Sequence, residues 1–222
     1  MNGLSLHKKL EENAGLLIFG ILFVSAVGGL VQVLPSIFQD SLQTATENTH
    51  LYDAVELTGR DIYIREGCSV CHSQQVRPLI AEVERYGRYS RADEFVYDRP
   101  FLWGSKRTGP DLHRIGGRYS DAWHRVHLIS PRRVVKDSIM PAYPWLARRS
   151  ANAGEDIQAK MKALQRLGHP YADEDIAAAP EALEGLTEMD ALIGYLQMLG
   201  TNRPAGADPD AHVHSSGMGD GQ

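Results

Sequence analysis

The stretch EGCSVCHSQQ, residues 66–75, contains both cysteines of the 222-residue chain and places His72 directly after the second one. Two thiols at this spacing occur in disulfides, redox pairs and zinc sites and, where a histidine follows, at the attachment site of a c-type haem. A thioredoxin-like pair needs a βαβ context, and a tetrahedral zinc site needs a second pair of ligands. A structural disulfide does not account for His72. The pattern therefore favours haem c, attached through thioether bonds to Cys68 and Cys71.

His72 is the first candidate ligand of the haem iron, because the residue after the second cysteine lies beneath the porphyrin. The second candidate is Met140, in the segment SIMPAYPWL at 138–146. Pro141 follows it and favours an extended backbone that can present the sulfur atom to the haem. The other methionines are terminal or lie on predicted helices, where packing is the common role. Three histidines compete with Met140 for this position: His113, His124 and His127.

A His/Met pair fills both axial positions of the iron and raises its reduction potential relative to two nitrogen ligands. Such an iron is suited to passing electrons rather than to binding oxygen. A histidine ligand usually donates its second ring N–H to a fixed acceptor. Pro110, in the loop TGPDLHRIGGRY at 108–119, has no N–H, and its carbonyl is a rigid acceptor for His72. A simple turn at Gly109 and Pro110 is the alternative interpretation.

The hydrophobicity of the chain is concentrated near the N-terminus, where no charged residue occurs from Asn13 through Gln39. The apolar range 14–38 is longer than the about 20 residues with which a helix crosses the hydrocarbon layer of a membrane. A signal peptide would have a shorter apolar stretch, followed by a cleavage site of small residues. A buried core helix is the other alternative. We therefore predict an uncleaved single-pass transmembrane anchor at 14–38.

The charges that flank this anchor predict its orientation. Lys8 and Lys9 precede it, and no Lys or Arg follows it until Arg60. Because cationic residues stay on the cytoplasmic side, the range 1–13 is predicted to be cytoplasmic and the later chain to lie in the periplasm of a bacterial inner membrane. The formal net charge of −5 gives no sign of a nucleic-acid partner, which usually meets a basic face.

Beyond the anchor, the pattern predicts a polar connector at 39–57, an all-α cytochrome c domain at 58–200 and a disordered tail at 201–222. Caps, stop residues and apolar periodicity predict five helices. They are expected at 58–67 with Thr58 as the cap, from Ser120, from Ser130 with Pro131 at its first position, at 155–168 and at 187–200. Most of 73–119 is expected to form loops, and 150–186 contains no motif that indicates a role.

Three segments together resemble the membrane-anchored mono-haem subunit, subunit II, of cbb3-type cytochrome c oxidases. They are GCSVCHSQQVRP, RPFLWGSKRTGPDLHRIGGRYSDAWHRVHLISPR and SIMPAYPWL. The combination of WGSKRTGPDL with SIMPAYPWL is far more specific than the cysteine motif alone. The resemblance covers the anchor and the chain to about residue 149, and it resumes in the last helix. It implies one N-terminal transmembrane helix followed by a class I cytochrome c domain with long loops.

The resemblance also implies the roles of individual residues and partners. Cys68 and Cys71 would hold one haem c covalently, His72 and Met140 would be its axial ligands, and the carbonyl of Pro110 would orient His72. The expected partners are a haem–copper catalytic subunit and a di-haem cytochrome c subunit. Electrons would arrive from the di-haem subunit or a soluble cytochrome c and leave for the haem b of the catalytic subunit. A Ca²⁺ at the interface with the catalytic subunit is a further expectation, without assigned ligands.

Three functions are compatible with a membrane-anchored haem protein, and the other motifs of the sequence distinguish them. The leading prediction is a non-catalytic electron-transfer subunit of an oxygen-reducing, proton-translocating oxidase. The alternative is a free-standing, membrane-tethered cytochrome c shuttle, which has no need of the long loop at 99–112. A haem-based sensor or peroxidase would need an open axial position, and Met140 argues against it.

Overall fold

The computed structural model describes residues 3–38, 44–46, 49–154 and 156–201. In these ranges all regular secondary structure is helical, and the only strand-like pairing is an isolated bridge between Ser150 and Thr187. The chain divides between Thr44 and Ala45 into two compact units. The predicted all-α fold class is therefore confirmed for the described residues. The predicted tail lies outside them, apart from Thr201.

The first unit contains the predicted anchor. Helix α1, Gly3–Glu12, is followed by α2, Ala14–Ile37, and the side chain of Asn13 caps α2 by accepting a hydrogen bond from the Leu16 amide at 3.0 Å. An 18-residue window of α2 has a mean hydropathy of 2.4, and none of its residues is buried. A helix that is apolar on all sides suits a lipid environment, and α2 is long enough to cross a membrane.

The core of the second unit is built on α3, Ala54–Arg65, and α9, Glu188–Met198, which pack closely against each other. Gly59 of α3 lies so near α9 that a Cβ placed on it would be 2.7 Å from the carbonyl carbon of Ala191. Nearby, the buried rings of Tyr63 and Tyr195 meet edge to face at 5.6 Å. The absence of a side chain at Gly59 thus permits the close approach of the two helices.

Helix α3 begins four residues before the predicted cap. The side chain of Asp53 accepts from the Glu56 amide at 2.8 Å, and Glu56 accepts from the Asp53 amide at 3.0 Å. Thr58 lies inside the helix and donates its hydroxyl to the Ala54 carbonyl at 2.7 Å. The prediction that Thr58 is the cap is therefore wrong, because this reciprocal capping box starts the helix earlier. The first turn of α3 occupies the end of the range predicted as a connector.

Two other predicted helix starts are confirmed. Ser120 caps α6, Asp121–Ile129, by accepting from the Trp123 amide at 3.2 Å. Thr187 and Asp190 form the capping box of α9, in which the Asp190 amide donates to Thr187 at 3.2 Å and the Thr187 amide donates to Asp190 at 2.9 Å. In both helices the side-chain cap satisfies amides that have no partner inside the helix.

The helix predicted from Ser130 is absent, and a single 3₁₀ turn, Pro131–Arg133, stands in its place. Proline at the first position suits a helix start, but Val134 and Val135 follow directly and are β-branched, which disfavours continuation. The chain instead runs in an irregular path to Met140 and reaches a second 3₁₀ turn, Pro144–Ala147.

Three further helices of the second unit are α5, α7 and α8. Helix α5, Ile80–Tyr86, lies in the range predicted as loops. Helix α7, Ile157–Arg166, confirms the amphipathic prediction in part, because Ile157 and Met161 are buried whereas Leu167 lies beyond the helix and is 76% exposed. Helix α8, Asp173–Ala182, was not predicted from the sequence.

Candidate haem site

The two cysteines lie on one short helical turn, α4, Cys68–Cys71, directly after α3. Gly67 separates the two helices with a φ of +74°, a left-handed conformation that glycine adopts without strain. The His72 amide donates to the Cys68 carbonyl at 2.9 Å, after which the backbone of His72 is extended. Both cysteines are free thiols and half-buried. The two thiols and the imidazole are thus presented by a single helical turn directly after the end of α3.

The ring of His72 is held by the loop that contains Pro110. Nδ1 of His72 lies 2.8 Å from the Pro110 carbonyl oxygen, and the Gly109 amide donates to the Cys71 carbonyl at 2.9 Å. Because a carbonyl only accepts, Nδ1 carries the proton and Nε2 is the nitrogen free to bind a metal. Burial lowers the pKa of His72 and the Pro110 bond opposes this only in part. The neutral, ligating form of the imidazole is therefore favoured.

A network around the buried side chains of Ser73 and Asp111 clamps the Pro110 loop to the cysteine motif. Asp111 accepts from the hydroxyl of Ser73 at 2.6 Å and from the amide of Gln75 at 2.8 Å. The guanidinium of Arg107 donates to the Ser73 hydroxyl at 2.7 Å and to the Gln75 carbonyl at 2.8 Å. Charge-assisted bonds of this kind are stronger than neutral ones, so the network fixes the register of the loop against His72.

Met140 lies on the segment that follows the Pro131–Arg133 turn. Its side chain is half-buried against the domain core, and its amide donates to the Ser138 hydroxyl at 3.2 Å. The Tyr143 amide donates to the Leu128 carbonyl at 2.7 Å and ties this segment to α6. Burial raises the pKa of Tyr143, and repulsion between its charged form and those of the nearby Cys68 and Cys71 raises it further. The Met140 segment therefore runs near the cysteine turn.

The three competing histidines have different surroundings. His113 is buried, with Nδ1 at 2.5 Å from the Ser90 hydroxyl and Nε2 at 3.4 Å from a Glu94 carboxylate oxygen. Both of its ring nitrogens therefore face protein groups. On α6, by contrast, Nε2 of His124 and Nδ1 of His127 are buried and have no hydrogen-bond partner among the described residues.

The donor set fits a haem. It combines two adjacent free thiols, an imidazole with one nitrogen already bonded, and a half-buried thioether. In the described part of the chain, no group of three or more His, Cys, Asp and Glu side chains could hold a metal ion. Thioether attachment and His or Met axial ligation are the chemistry of c-type haem proteins. The buried, unpaired ring nitrogens of α6 also suit a bound group with polar atoms of its own.

Some of these features were not predicted from the sequence. The Asp111 clamp and the close contact of Gly109 with His72 depend on distances that no spacing reveals. The nearest signal was the quoted segment WGSKRTGPDL, which contains both residues. The proximity of Tyr143 to the cysteines was likewise not expected, although it belongs to the segment singled out for Met140.

The helical fold and the geometry around the cysteine turn are those expected of a haem-binding protein that carries an N-terminal apolar helix. A comparison with protein-family models matches residues 7–186 to FixO, described as cytochrome c oxidase, mono-haem subunit. The chain therefore belongs to the family of mono-haem subunits of cbb3-type cytochrome c oxidases. No curated protein matches the chain.

The family match establishes the broad function. The chain is a redox subunit in electron transport, with one haem and with other oxidase subunits as partners. Together with α2, it indicates a membrane-anchored protein. The matched range also includes 150–186, where the sequence alone indicated no role, and it ends before α9.

Proposed function

We propose that this subunit relays electrons through one covalently bound haem c and does not itself reduce oxygen. The electrons would come from a di-haem cytochrome c subunit or a soluble cytochrome c and pass to the haem b of the haem–copper catalytic subunit. The observation that carries the proposal is the 2.8 Å contact between Nδ1 of His72 and the Pro110 carbonyl. It leaves Nε2 as the ligating atom and holds the ring against rotation.

The cysteine turn supports covalent attachment. Cys68 and Cys71 lie one helical turn apart and are free of each other, so each thiol can form its own thioether bond. When bound, the haem supplies a one-electron iron couple. The role of the chain is to attach it, orient His72 through Pro110 and shield the ligand from water by burial.

Met140 is proposed as the second axial ligand. Support comes from its half-buried side chain, from the irregular backbone around Pro141 and from the proximity of Tyr143 to the cysteines. A thioether in this position closes the site to small ligands and favours reduction of the iron. Closure of both axial positions is the property expected of a relay rather than of an oxygen-reducing centre.

The topology is part of the same proposal. The range 1–13 is assigned to the cytoplasm, 14–38 to the bacterial inner membrane and 58–200 to the periplasm, with 39–57 as the connector and 201–222 as a tail. Lys8 and Lys9 before α2 support this orientation. A Ca²⁺ at the interface with the catalytic subunit is also proposed, with no ligands assigned.

The proposal is tested by purification of the affinity-tagged full-length chain in mild detergent. We expect the haem–copper and di-haem subunits to co-purify and haem staining to persist at the mass of this chain on a denaturing gel. The double variant Cys68→Ala/Cys71→Ala is the matched control and should lose that staining. Recovery of the chain alone, folded and redox-active, would instead indicate a tethered shuttle.

A further inference from the structure

Two histidines of α6 have buried ring nitrogens without a protein partner among the described residues. These atoms are Nε2 of His124 and Nδ1 of His127. A buried polar atom that stays unpaired costs free energy, so in native proteins such atoms almost always have a hydrogen-bond partner. The two atoms therefore indicate a group that comes from outside the described protein atoms.

The ring of His127 is fixed in orientation by aromatic stacking. It lies parallel to the ring of Trp123, with centroids 4.7 Å apart and planes 10° apart. Trp123 in turn stacks on Tyr119, with a centroid distance of 3.9 Å and an angle of 15°. A ring held in such a stack keeps its plane, so Nδ1 can point only along that plane. The stack therefore restricts the direction of this donor before any ligand binds.

His127 lies near both segments that carry the proposed axial ligands. The next residue, Leu128, accepts the Tyr143 amide at 2.7 Å and so joins α6 to the Met140 segment. Burial lowers the pKa of His127, and repulsion between its charged form and those of the nearby His72 and His124 lowers it further. No such influence of His72 acts on His124, whose pKa responds to burial and to Asp121.

The chemistry of the missing partner follows from this location. A haem has two kinds of polar group, the iron and the two propionate carboxylates. The iron is already assigned to His72 and Met140. A carboxylate accepts hydrogen bonds strongly, and a neutral imidazole with its proton on Nδ1 can donate one.

We propose that His127 donates a hydrogen bond from Nδ1 to a propionate of the haem, and that the stack with Trp123 positions it for this contact. The inference rests on the proposed haem site. It adds His127 as a residue that holds the haem at the edge that carries its propionates. A donor at this point partly neutralises the propionate charge. It therefore disfavours the ferric form relative to the ferrous form and raises the reduction potential.

The test is a redox titration of the full-length chain in detergent, followed by the haem absorption. In His127→Phe, which keeps an aromatic ring but lacks the donor, the midpoint potential should fall. The haem should stay attached, and the reduced variant should not bind carbon monoxide. His127→Asn, whose amide N–H lies near the position of Nδ1, should restore most of the potential. His50→Asn is the matched control and should cause no shift, because the ring of His50 is already bonded to Glu56 at 2.5 Å.

Several results would overturn the inference. An unchanged potential in His127→Phe would do so, as would a larger fall in His124→Phe than in His127→Phe. Carbon monoxide binding by reduced His127→Phe would indicate that His127 is an axial ligand instead. If His127→Phe does not fold, His127→Gln takes its place, and equal potentials for Gln and Asn would count against the inference.

Failure of the proposed function gives a different result. It would appear in the wild-type chain itself, as loss of the haem on a denaturing gel or as carbon monoxide binding to the reduced form. The other case is that the wild-type chain retains its haem and binds no carbon monoxide, while His127→Phe has the same midpoint potential as the wild type. That combination would refute only the role of His127.

Discussion

Gly109 lies directly against the ring of His72, where a Cβ placed on the glycine would be 2.7 Å from Nδ1 and 2.8 Å from Nε2. Atoms in proteins do not approach a Cβ so closely, and the His72 ring is also bonded through Nδ1 to the carbonyl of Pro110, the residue after Gly109. A side chain at this position must therefore displace either the loop or the imidazole. The glycine is thus part of how the chain orients its proposed ligand.

Gly109→Ala should destabilise the domain by about 1–3 kcal/mol, the usual cost of overpacking, and should disturb the ligation of the haem. The free energy of unfolding and carbon monoxide binding to the reduced form measure the two effects. Gly154→Ala is the matched control, because a Cβ there meets no atom within 4 Å. It should change stability by less than about 0.5 kcal/mol. Equal stability and equal ligand binding in both variants would contradict the role of Gly109.

A second glycine permits a prediction about the core. A Cβ on Gly59 would lie 2.7 Å from the Cβ of Tyr195, whereas one on Gly194 would lie 3.3 Å from Cγ1 of Val55. Gly59→Ala should therefore cost about 3 kcal/mol or prevent folding, because α3 and α9 would have to separate. Gly194→Ala should be near neutral, because a small shift of Val55 is offset by the higher helix propensity of alanine. Chemical denaturation of the two variants compares them directly, and similar losses would show that the helix contact is less tight than described.

Helix boundaries show how far local patterns predict this fold. The start of α9 followed from Thr187 and Asp190, because a capping box is local and the apolar period continues after it. The start of α3 was misplaced, because Thr58 looks like a cap by residue type while Asp53 and Glu56 form the stronger pair. The capping box of Asp53 and Glu56 is itself a local pattern, so the true start of α3 was present in the sequence beside the competing Thr58.

Tertiary packing explains the elements that the sequence did not predict. Helix α8 buries only Ile176 and Ala179 among its ten residues, so its apolar period is weak and its stability depends on contact with other helices. Leu167 shows the opposite error, because it continues the apolar period of α7 but lies beyond the helix end and is exposed. An apolar period indicates which residues of a helix favour burial. Whether they are buried depends on the helices and loops that pack against that face.

The site was predicted in a similarly uneven way. Cys68, Cys71 and His72 lie close together in the sequence, so the chemistry proposed for them is readable from their spacing alone. The contact of Pro110 with His72 joins residues 38 positions apart, and the sequence could only suggest it. From the sequence, His127 was a competing iron ligand or, more commonly for a residue on a helix, a capping or packing residue, because burial without a partner is visible only in three dimensions.

Met140→Ala should leave the haem attached and open the sixth coordination position of the iron. Carbon monoxide binding to the reduced variant measures this directly. Met161→Ala is the matched control, because Met161 is 2% exposed in the core and its truncation should cost about 2–5 kcal/mol without opening the iron. If the wild-type protein binds carbon monoxide as well as Met140→Ala does, Met140 is not the ligand.

The last prediction concerns a buried ion pair that joins α3 to the loop between the cysteine motif and Pro110. Nε of Arg60 lies 3.4 Å from Oδ1 of Asp98, the hydroxyl of Tyr52 donates to the same carboxylate, and the arginine and aspartate side chains are each 3% exposed. Burial raises the pKa of Asp98, and the charge of Arg60 opposes this rise. Asp98→Asn keeps the shape but leaves the guanidinium charge buried without its counter-ion, which should cost about 3–5 kcal/mol in the free energy of unfolding.

The double variant Arg60→Met/Asp98→Asn separates two costs: loss of the ion pair, and burial of the Arg60 charge without its counter-ion. Replacing both members removes the unpaired charge, so the double variant should be more stable than Asp98→Asn alone. Arg60 also donates to the carbonyls of Arg99 and Pro100, and loss of these bonds will keep the double variant below the wild type. Chemical denaturation of the wild type, of the single variants Arg60→Met and Asp98→Asn and of the double variant gives the coupling energy. Strictly additive losses would mean that the two side chains do not stabilise each other.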